Sequence, residues 1–515
     1  MSSSTKLLRR CLVAALLAAS AVHALADGLP EPVALLMQAS NIPPEAAGII
    51  VLRGDTTLVS HNPRQSMAPG STMKLFTTLT ALEQLGPVFR GRTELRSSAD
   101  VVNGVLQGDL ILRGGADADL NEDVLGHMLQ ALRNQGIRRI QGDIVVDRLL
   151  FTPARPDAGQ PPFDEYPWAY YNVIPNAALI NTNLLKVEMR STGNKLSLVM
   201  MPELENVSIR SDMKLTDSAC AAWENGWRTP DYTRKGDRIE VVLHGSFPKD
   251  CTRSTAINVL DSQDYLARLL LAEWNKLGGA IGGEVREASA PAATDAATAT
   301  TDAAPAARAA TPAPATTRLL AEHVSRTLPE IIRDTNKQSD NTLARTIFLS
   351  LGSLEADPLL GSKPLPPDTS GASTPMRAET AIRAWLQQHN IDGNGLVIDN
   401  GSGLSRSERA TPAQLAGLLQ AGLKSLWMPE FLASLPVAAT DGTMRRRLKD
   451  SPAAQRARLK TGSLNGMIAI AGYVQDANNQ TCIVVAILND AHVANGAGRA
   501  VLDELVDWVA RSRQE

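Results

Sequence analysis

Ala68-Pro69-Gly70-Ser71-Thr72-Met73-Lys74-Leu75-Phe76 is the stretch around which the chain is organised. Pro69-Gly70 marks a turn, and Leu75, Leu79, Leu82 and Leu85 then recur at helical spacing until Gly86 stops the pattern. Ser71 therefore stands at a first helical turn, where unpaired N–H groups and the helix dipole favour developing negative charge. Lys74, three residues on, returns over the same face. A serine beside a desolvated lysine is a nucleophile beside a general base.

The pattern Ser-x-x-Lys also occurs at Ser3–Lys6, Ser211–Lys214 and Ser246–Lys249, so alone it fits an ordinary helix start with a solvated lysine. Its weight comes from two later stretches. Ser339-Asp340-Asn341 opens a helix through Leu343, Ile347 and Leu349, and Lys460-Thr461-Gly462 begins a strand. Ser-x-Asn recurs at Ser60–Asn62 and Ser463–Asn465, whereas Lys-Thr-Gly occurs once. The three motifs, in this order and each in its expected setting, form the set of β-lactamases and penicillin-binding proteins.

The chain resembles, over nearly all its length after the leader, the DacB-type D-alanyl-D-alanine carboxypeptidase/endopeptidase family, the low-molecular-mass class C penicillin-binding proteins. The resemblance rests on Gly70-Ser71-Thr72-Met73-Lys74, Asn336 to Asn341, Gly401-Ser402-Gly403-Leu404-Ser405-Arg406, Asp441-Gly442-Thr443 and Lys460-Thr461-Gly462. The sequence distance from Ser71 to Ser339 exceeds what a compact β-lactamase would use. The resemblance implies an insertion there, within the catalytic domain. It implies further that Ser71 attacks the carbonyl between two D-alanines, with Lys74 as base and Ser339 relaying a proton to the leaving amine. Asn341 would hold the substrate amide and Lys74, Lys460 and Thr461 the terminal carboxylate, and the backbone N–H groups of Ser71 and Ser463 the oxyanion. Lowering a lysine from about 10.4 to about 7.5 costs roughly 4 kcal/mol, a task for burial and a second cation such as Lys460.

The expected partners are peptidoglycan stem peptides, with β-lactams as covalent inhibitors and no cofactor. A β-lactamase is the nearest rival, disfavoured by the long insertion and the absence of an obvious water-activating glutamate loop. A non-catalytic peptidoglycan-binding scaffold is the rival from another class, and it has no need of an intact base.

The expected fold is α/β (α+β), a β-lactamase/transpeptidase-like domain. Its five-stranded antiparallel sheet takes a hairpin at Ile49–Leu52 and Thr56–Val59 from one end of the chain. Strands from Arg458, over Met467–Val474 and over Cys482–Leu488, with a helix at 498–512, come from the other end. The catalytic domain is expected at 27–95 and 255–515, interrupted by mostly-β accessory structure at 96–254. Helices are expected near 121–135 and 261–277. Helical patterning is read from Arg318 through Leu319, Leu328 and Ile331. Residues 288–317, almost all Ala, Thr, Pro and Asp, lack core-forming side chains and read as an exposed, disordered loop.

The 515 residues allow two or more cores. Lys6, Arg9 and Arg10, the apolar run Leu12–Val22 and Ala24-Leu25-Ala26 read as a cleavable signal peptide over 1–26, cut near Ala26, which places the protein in the periplasm. Losing those three cations makes the formal charge three more negative than −3, no sign of nucleic-acid binding. No later run reaches the ~20 apolar residues of a membrane span. No Cys/His grouping has metal-ligand spacing. Outside the cytoplasm Cys220 and Cys251 can close a loop worth about 3.5 kcal/mol; buried free thiols are the other reading, and Cys482 looks like a core residue. The cluster Phe163, Tyr166, Trp168, Tyr170 and Tyr171 reads first as packing of one domain on another and second as a cleft lining.

Overall fold

A computed structural model describes residues 28–289, 317–366 and 368–513. The signal-peptide reading and nearly all of the Ala/Thr/Pro-rich stretch lie outside the described residues. Among the described residues, no helix is long and apolar enough to cross a membrane. The chain divides into two compact units, Met1–Pro87 with Leu328–Gly352 and Pro375–Glu515, and Val88–Thr327 with Ser353–Thr374.

In the first unit the strands run in spatial order Thr56–His61, Ala47–Arg53, Thr481–Asn489, Met467–Gln475 and Arg458–Leu464, all antiparallel. This is the five-stranded sheet expected from the two chain ends. Met467–Val474 and Cys482–Leu488 are buried throughout, so the central strands carry apolar side chains on both faces. On one face Ile49, Val51, Ile470 and Val484 meet Val33 and Met37 of the helix Glu31–Ala39 and Val501, Leu505 and Val509 of the helix Ala497–Arg511. On the other, the Tyr473 hydroxyl donates to Leu419 O at 2.8 Å, and a Cβ on Gly48 would strike Met67 and Pro412. The helix Pro412–Lys424 covers that face.

Ser71 does not open the α-helix directly. It lies in a 3₁₀ turn, Gly70–Met73, and the α-helix runs from Lys74 to Gln84, ending before Gly86 at φ 75°. Nine residues, Lys74 to Leu82, are buried, so this helix is enclosed all round rather than amphipathic.

The second unit holds a mixed sheet, in order Val285–Glu287, Ile144–Asp147, Leu110–Gly115, Arg92–Ser97 and Arg318–Val324, with the helices Glu122–Asn134 and Ser262–Lys276. Antiparallel strands Leu185–Thr192, Lys195–Met201 and Thr252–Ile257 form a further sheet. Leu185, Val187 and Met189 alternate inward while Lys186 and Arg190 stay exposed, the period of two that made the region legible as β.

Two expectations are corrected here. Arg318–Val324 is a strand, not the start of a helix, because its backbone pairs with Arg92–Ser97; the helix begins at Leu328. The boundary at 254/255 also moves. Val285–Glu287 pairs with Ile144–Asp147, so the second unit starts at Val88 and keeps the chain until Thr327. Cys220 and Cys251 are disulfide-bonded, and Cys482 is a buried free thiol.

Candidate active site

The first unit gathers Ser71, Lys74, Ser339, Asn341 and Lys460, which arrive from three separate segments. Lys74 is fully buried and its Nζ donates to Ser71 Oγ at 3.0 Å, Asn341 Oδ1 at 2.6 Å and the Ser402 carbonyl at 2.5 Å. Those three acceptors match the three N–H bonds of an ammonium. When the amine loses a proton, the amide oxygen and the carbonyl can only accept, so they keep its two remaining N–H groups. The lone pair then faces Ser71, whose hydroxyl alone among the three has a proton to give. Burial lowers Lys74 from 10.5 to about 7; Glu408 and Asp340 oppose the shift and Arg345 reinforces it.

Ser339 joins the helices Leu328–Gln338 and Asn341–Leu351. Its φ of 59° is uncommon for a residue with a side chain, a local strain held by structure on both sides. Asp340 caps the second helix by accepting from Leu343 N at 2.9 Å, which places Asn341 at the first helical position. Fully buried Lys460 donates to Ser339 Oγ at 2.8 Å and to the Thr461 carbonyl at 2.9 Å. Burial, then repulsion from Lys74, drives its pKa well below the ordinary value. Arg345 is a further neighbouring cation that lowers Lys74, beside Lys460, whose repulsion with Lys74 is mutual.

Thr461 Oγ1 bonds Thr443 Oγ1 at 2.8 Å, in the 3₁₀ turn Gly442–Met444. Lys337 Nζ bonds Asp441 at 2.6 Å and the Leu435 carbonyl at 2.9 Å, steadying that turn from below. The strand Arg458–Leu464 is at the sheet edge; among the described residues its outer side is bridged only at Arg458, by Val437.

Two glycines allow the serine turn to sit so close to its surroundings. A Cβ on Gly462 would lie 2.7 Å from Pro69 O and 3.1 Å from Ser71 N; one on Gly403 would lie 2.0 Å from Gly70 O. Gly403 also has φ 84°. Gly403→Ala is expected to cut acylation of Ser71 at least tenfold and to lower Tm, because backbone and not a flexible side chain must give way. Unchanged acylation and melting would show that the turn is not clamped.

Sequence reading missed Glu408. Its Oε1 accepts from the backbone N–H groups of Asp399, Asn400 and Gly401 at 3.3, 3.1 and 2.8 Å, holding the loop whose Ser402 carbonyl faces Lys74. It is 1% exposed, and burial pushes its pKa up despite those bonds. The available signal was a carboxylate just past a Gly/Ser-rich loop full of unpaired N–H groups.

The profile of the D-Ala-D-Ala carboxypeptidase 3 (S13) family matches residues 31–312 and 304–512. D-alanyl-D-alanine carboxypeptidase DacB of Haemophilus influenzae is 24% identical over 455 residues, 84% of this chain and 82% of that protein. A D-alanyl-D-alanine carboxypeptidase of Actinomadura sp. (strain R39) is 27% identical over 479 residues, 90% of this chain and 81% of that one. The crystal structure of penicillin binding protein 4 (dacB) from H. influenzae superposes with a TM-score of 0.70 at 23% identity, covering 93% of this chain and 98% of that one, which gives both the same fold. With its profile running through both units and across every residue of the Ser71–Lys74–Ser339–Lys460 cluster, the chain belongs to the D-Ala-D-Ala carboxypeptidase 3 (S13) family of carboxypeptidases.

Proposed function

We propose that the protein is a serine-type DD-peptidase that cleaves D-Ala-D-Ala, and peptide cross-links, in peptidoglycan through an ester on Ser71. The observation that carries this reading is the Lys74 amine, lowered to about 7 and bonded to Ser71 Oγ at 3.0 Å. Ser71 Oγ attacks the penultimate D-alanine carbonyl while its proton passes to Lys74. The oxyanion lies against the backbone N–H groups of Ser71 and Ser463. As the C–N bond breaks, Ser339 relays to the leaving amine the proton that Lys74 took up, which returns both groups to their starting states. Water then cleaves the ester. When the amine belongs to a cross-linking side chain, the same step is an endopeptidase step.

Asn341 holds the substrate amide. An extended peptide pairs with the outer edge of Arg458–Leu464, which delivers its terminal carboxylate to Lys460 and Thr461. A carboxylate there favours the charged form of Lys460, so a cation that burial suppresses in the empty site returns when substrate arrives. The protein acts in the periplasm after loss of residues 1–26.

A β-lactam offers a strained amide and a carboxylate in the same relation. The crystal structure of H. influenzae penicillin binding protein 4 (dacB) complexed with a novel β-lactam supports the same encounter here. The test is D-alanine release from a synthetic peptide ending in D-Ala-D-Ala, together with mass spectrometry after brief exposure to benzylpenicillin. A long-lived one-to-one adduct on the Ser71 peptide plus released D-alanine is expected. The rate of acylation should rise with pH through about 7, because Lys74 is a base only when neutral. Multiple-turnover penicillin hydrolysis without peptide cleavage would make the protein a β-lactamase instead. Neither labelling nor cleavage would leave a binding scaffold.

A further inference from the structure

The aromatic cluster at Tyr166–Tyr171 lies wholly within the second unit, where it helps to line an open cleft of about 1460 Å³. That exceeds the roughly 300–1,000 Å³ of sites that enclose one small molecule, and suits a segment of a chain-like ligand. We propose that this cleft is a saccharide-binding site that takes consecutive rings of an N-acetylated amino-sugar chain. The choice of sugar rests on the function proposed above; the saccharide class rests on the cleft itself.

The rings form a ladder from the core to the mouth. Phe247, fully buried, is 6.4 Å from Trp223, which meets Trp227 at 5.5 Å and 82°. Trp227 meets Trp168 at 5.6 Å, and Trp168 meets Tyr166 at 6.2 Å and 84°. Edge-to-face contacts, and the tilted one between Trp227 and Trp168, fix each ring through its neighbour. At the mouth Tyr166 is 48% and Tyr170 64% exposed, a large apolar area to leave in water. A pyranose ring offers a flat C–H face to such a surface and hydroxyl and acetamido groups to its rim. Thr229, Ser246 and Asn225 supply polar partners there.

Charge narrows the class. Lys214 and Arg228 line the cleft with Asp212 and Glu224, so the formal charges cancel, and His244 is paired with Asp212 at 2.8 Å. A single-stranded nucleic acid would also stack on the rings, but it needs a positive groove. A neutral, hydroxyl-rich chain does not.

Both walls are held in place before any ligand arrives. Asp164 gathers the first, accepting from the Tyr171 hydroxyl and Asn172 Nδ2 at 2.9 Å and from Tyr166 N at 3.0 Å. The second is the 3₁₀ segment Cys220–Gly226, which carries Trp223 and is tied by the disulfide to Cys251. Preformed walls reduce the ordering cost of binding.

The test is isothermal titration and tryptophan fluorescence of the purified protein with the β-1,4-linked hexamer of N-acetylglucosamine. Saturable binding is expected, weakened at least tenfold in Tyr170→Ala and in Trp223→Ala. Both variants should release D-alanine from a free peptide at the wild-type rate. Tyr170, mostly exposed, serves where Trp223→Ala fails to fold. No binding by the wild-type protein, or binding indifferent to Tyr170→Ala in a folded variant, overturns the proposal. So does tighter binding of a sugar-free stem peptide or a single-stranded oligonucleotide that Tyr170→Ala abolishes. Hexamer binding without D-alanine release would remove the DD-peptidase reading and leave the cleft. D-alanine release without hexamer binding would do the reverse.

Discussion

Lys74→Ala is expected to slow acylation of Ser71 by benzylpenicillin by on the order of a hundred- to ten-thousand-fold, the range of a positioned general base. The residual rate would come from the rest of the site. The substitution also has a structural cost. Lys74 is fully buried, and its removal takes a donor from Asn341 Oδ1 and from the buried Ser402 carbonyl. An unsatisfied buried acceptor costs about 1–3 kcal/mol, so the melting temperature should fall by several degrees while the fold persists. Stopped-flow acylation with a chromogenic β-lactam, beside a thermal melt and circular dichroism, separates the two effects. Acylation at the wild-type rate in a folded variant would end the assignment of Lys74 as base. Lys74→Arg should be nearly as slow, since a guanidinium keeps its charge at any working pH.

Glu408→Gln should act on the same reaction through charge and through the loop. Because burial raises its pKa while three N–H groups stabilise its anion, Glu408 carries its charge only part of the way down the acid range. Where it is ionised it opposes the lowering of Lys74. The isosteric amide keeps an acceptor for the backbone N–H groups but removes the charge. Lys74 should then lose its proton more readily, so the pH at which acylation is half-maximal should move to lower pH, from about 7 in the wild-type protein. A midpoint moving to higher pH, or not moving, would show that the Glu408 charge does not reach Lys74. Glu408→Ala removes the acceptor as well. Three N–H groups then lose their partner, the buried one of Gly401 at a cost of about 1–3 kcal/mol, and the Ser402 carbonyl is no longer held toward Lys74. Stability and acylation should both fall in Glu408→Ala, whereas Glu408→Gln should mainly shift the pH profile.

The expected insertion also illustrates where local patterning loses its hold. Leu319 and Leu320 are adjacent, a spacing that fits helix or strand alike, and the Arg318–Val324 backbone takes the pairing that Arg92–Ser97 offers. The same reason moves the end of the second unit to Thr327: Val285–Glu287 and Arg318–Val324 both pair with strands from before residue 150. The aromatic cluster was visible as composition, but its partners Trp223 and Trp227 come from another segment, so a cleft lining ranked only second among its readings.

The sequence by itself determined which polar residues are candidates for the site and the sheet that presents them. Ser71, Lys74, Ser339, Asn341 and Lys460 belong to short motifs, and the central strands are continuous apolar runs, signals complete within a few residues. Only the tertiary structure decided the surroundings that lower the pKa of the Lys74 amine. Its burial, its third acceptor at Ser402, the Glu408 anchor behind that carbonyl and the left-handed turn at Ser339 all depend on segments far apart in the chain. A pKa is a property of solvent exclusion and of every charge within a few ångströms, and neither quantity exists until the chain has folded.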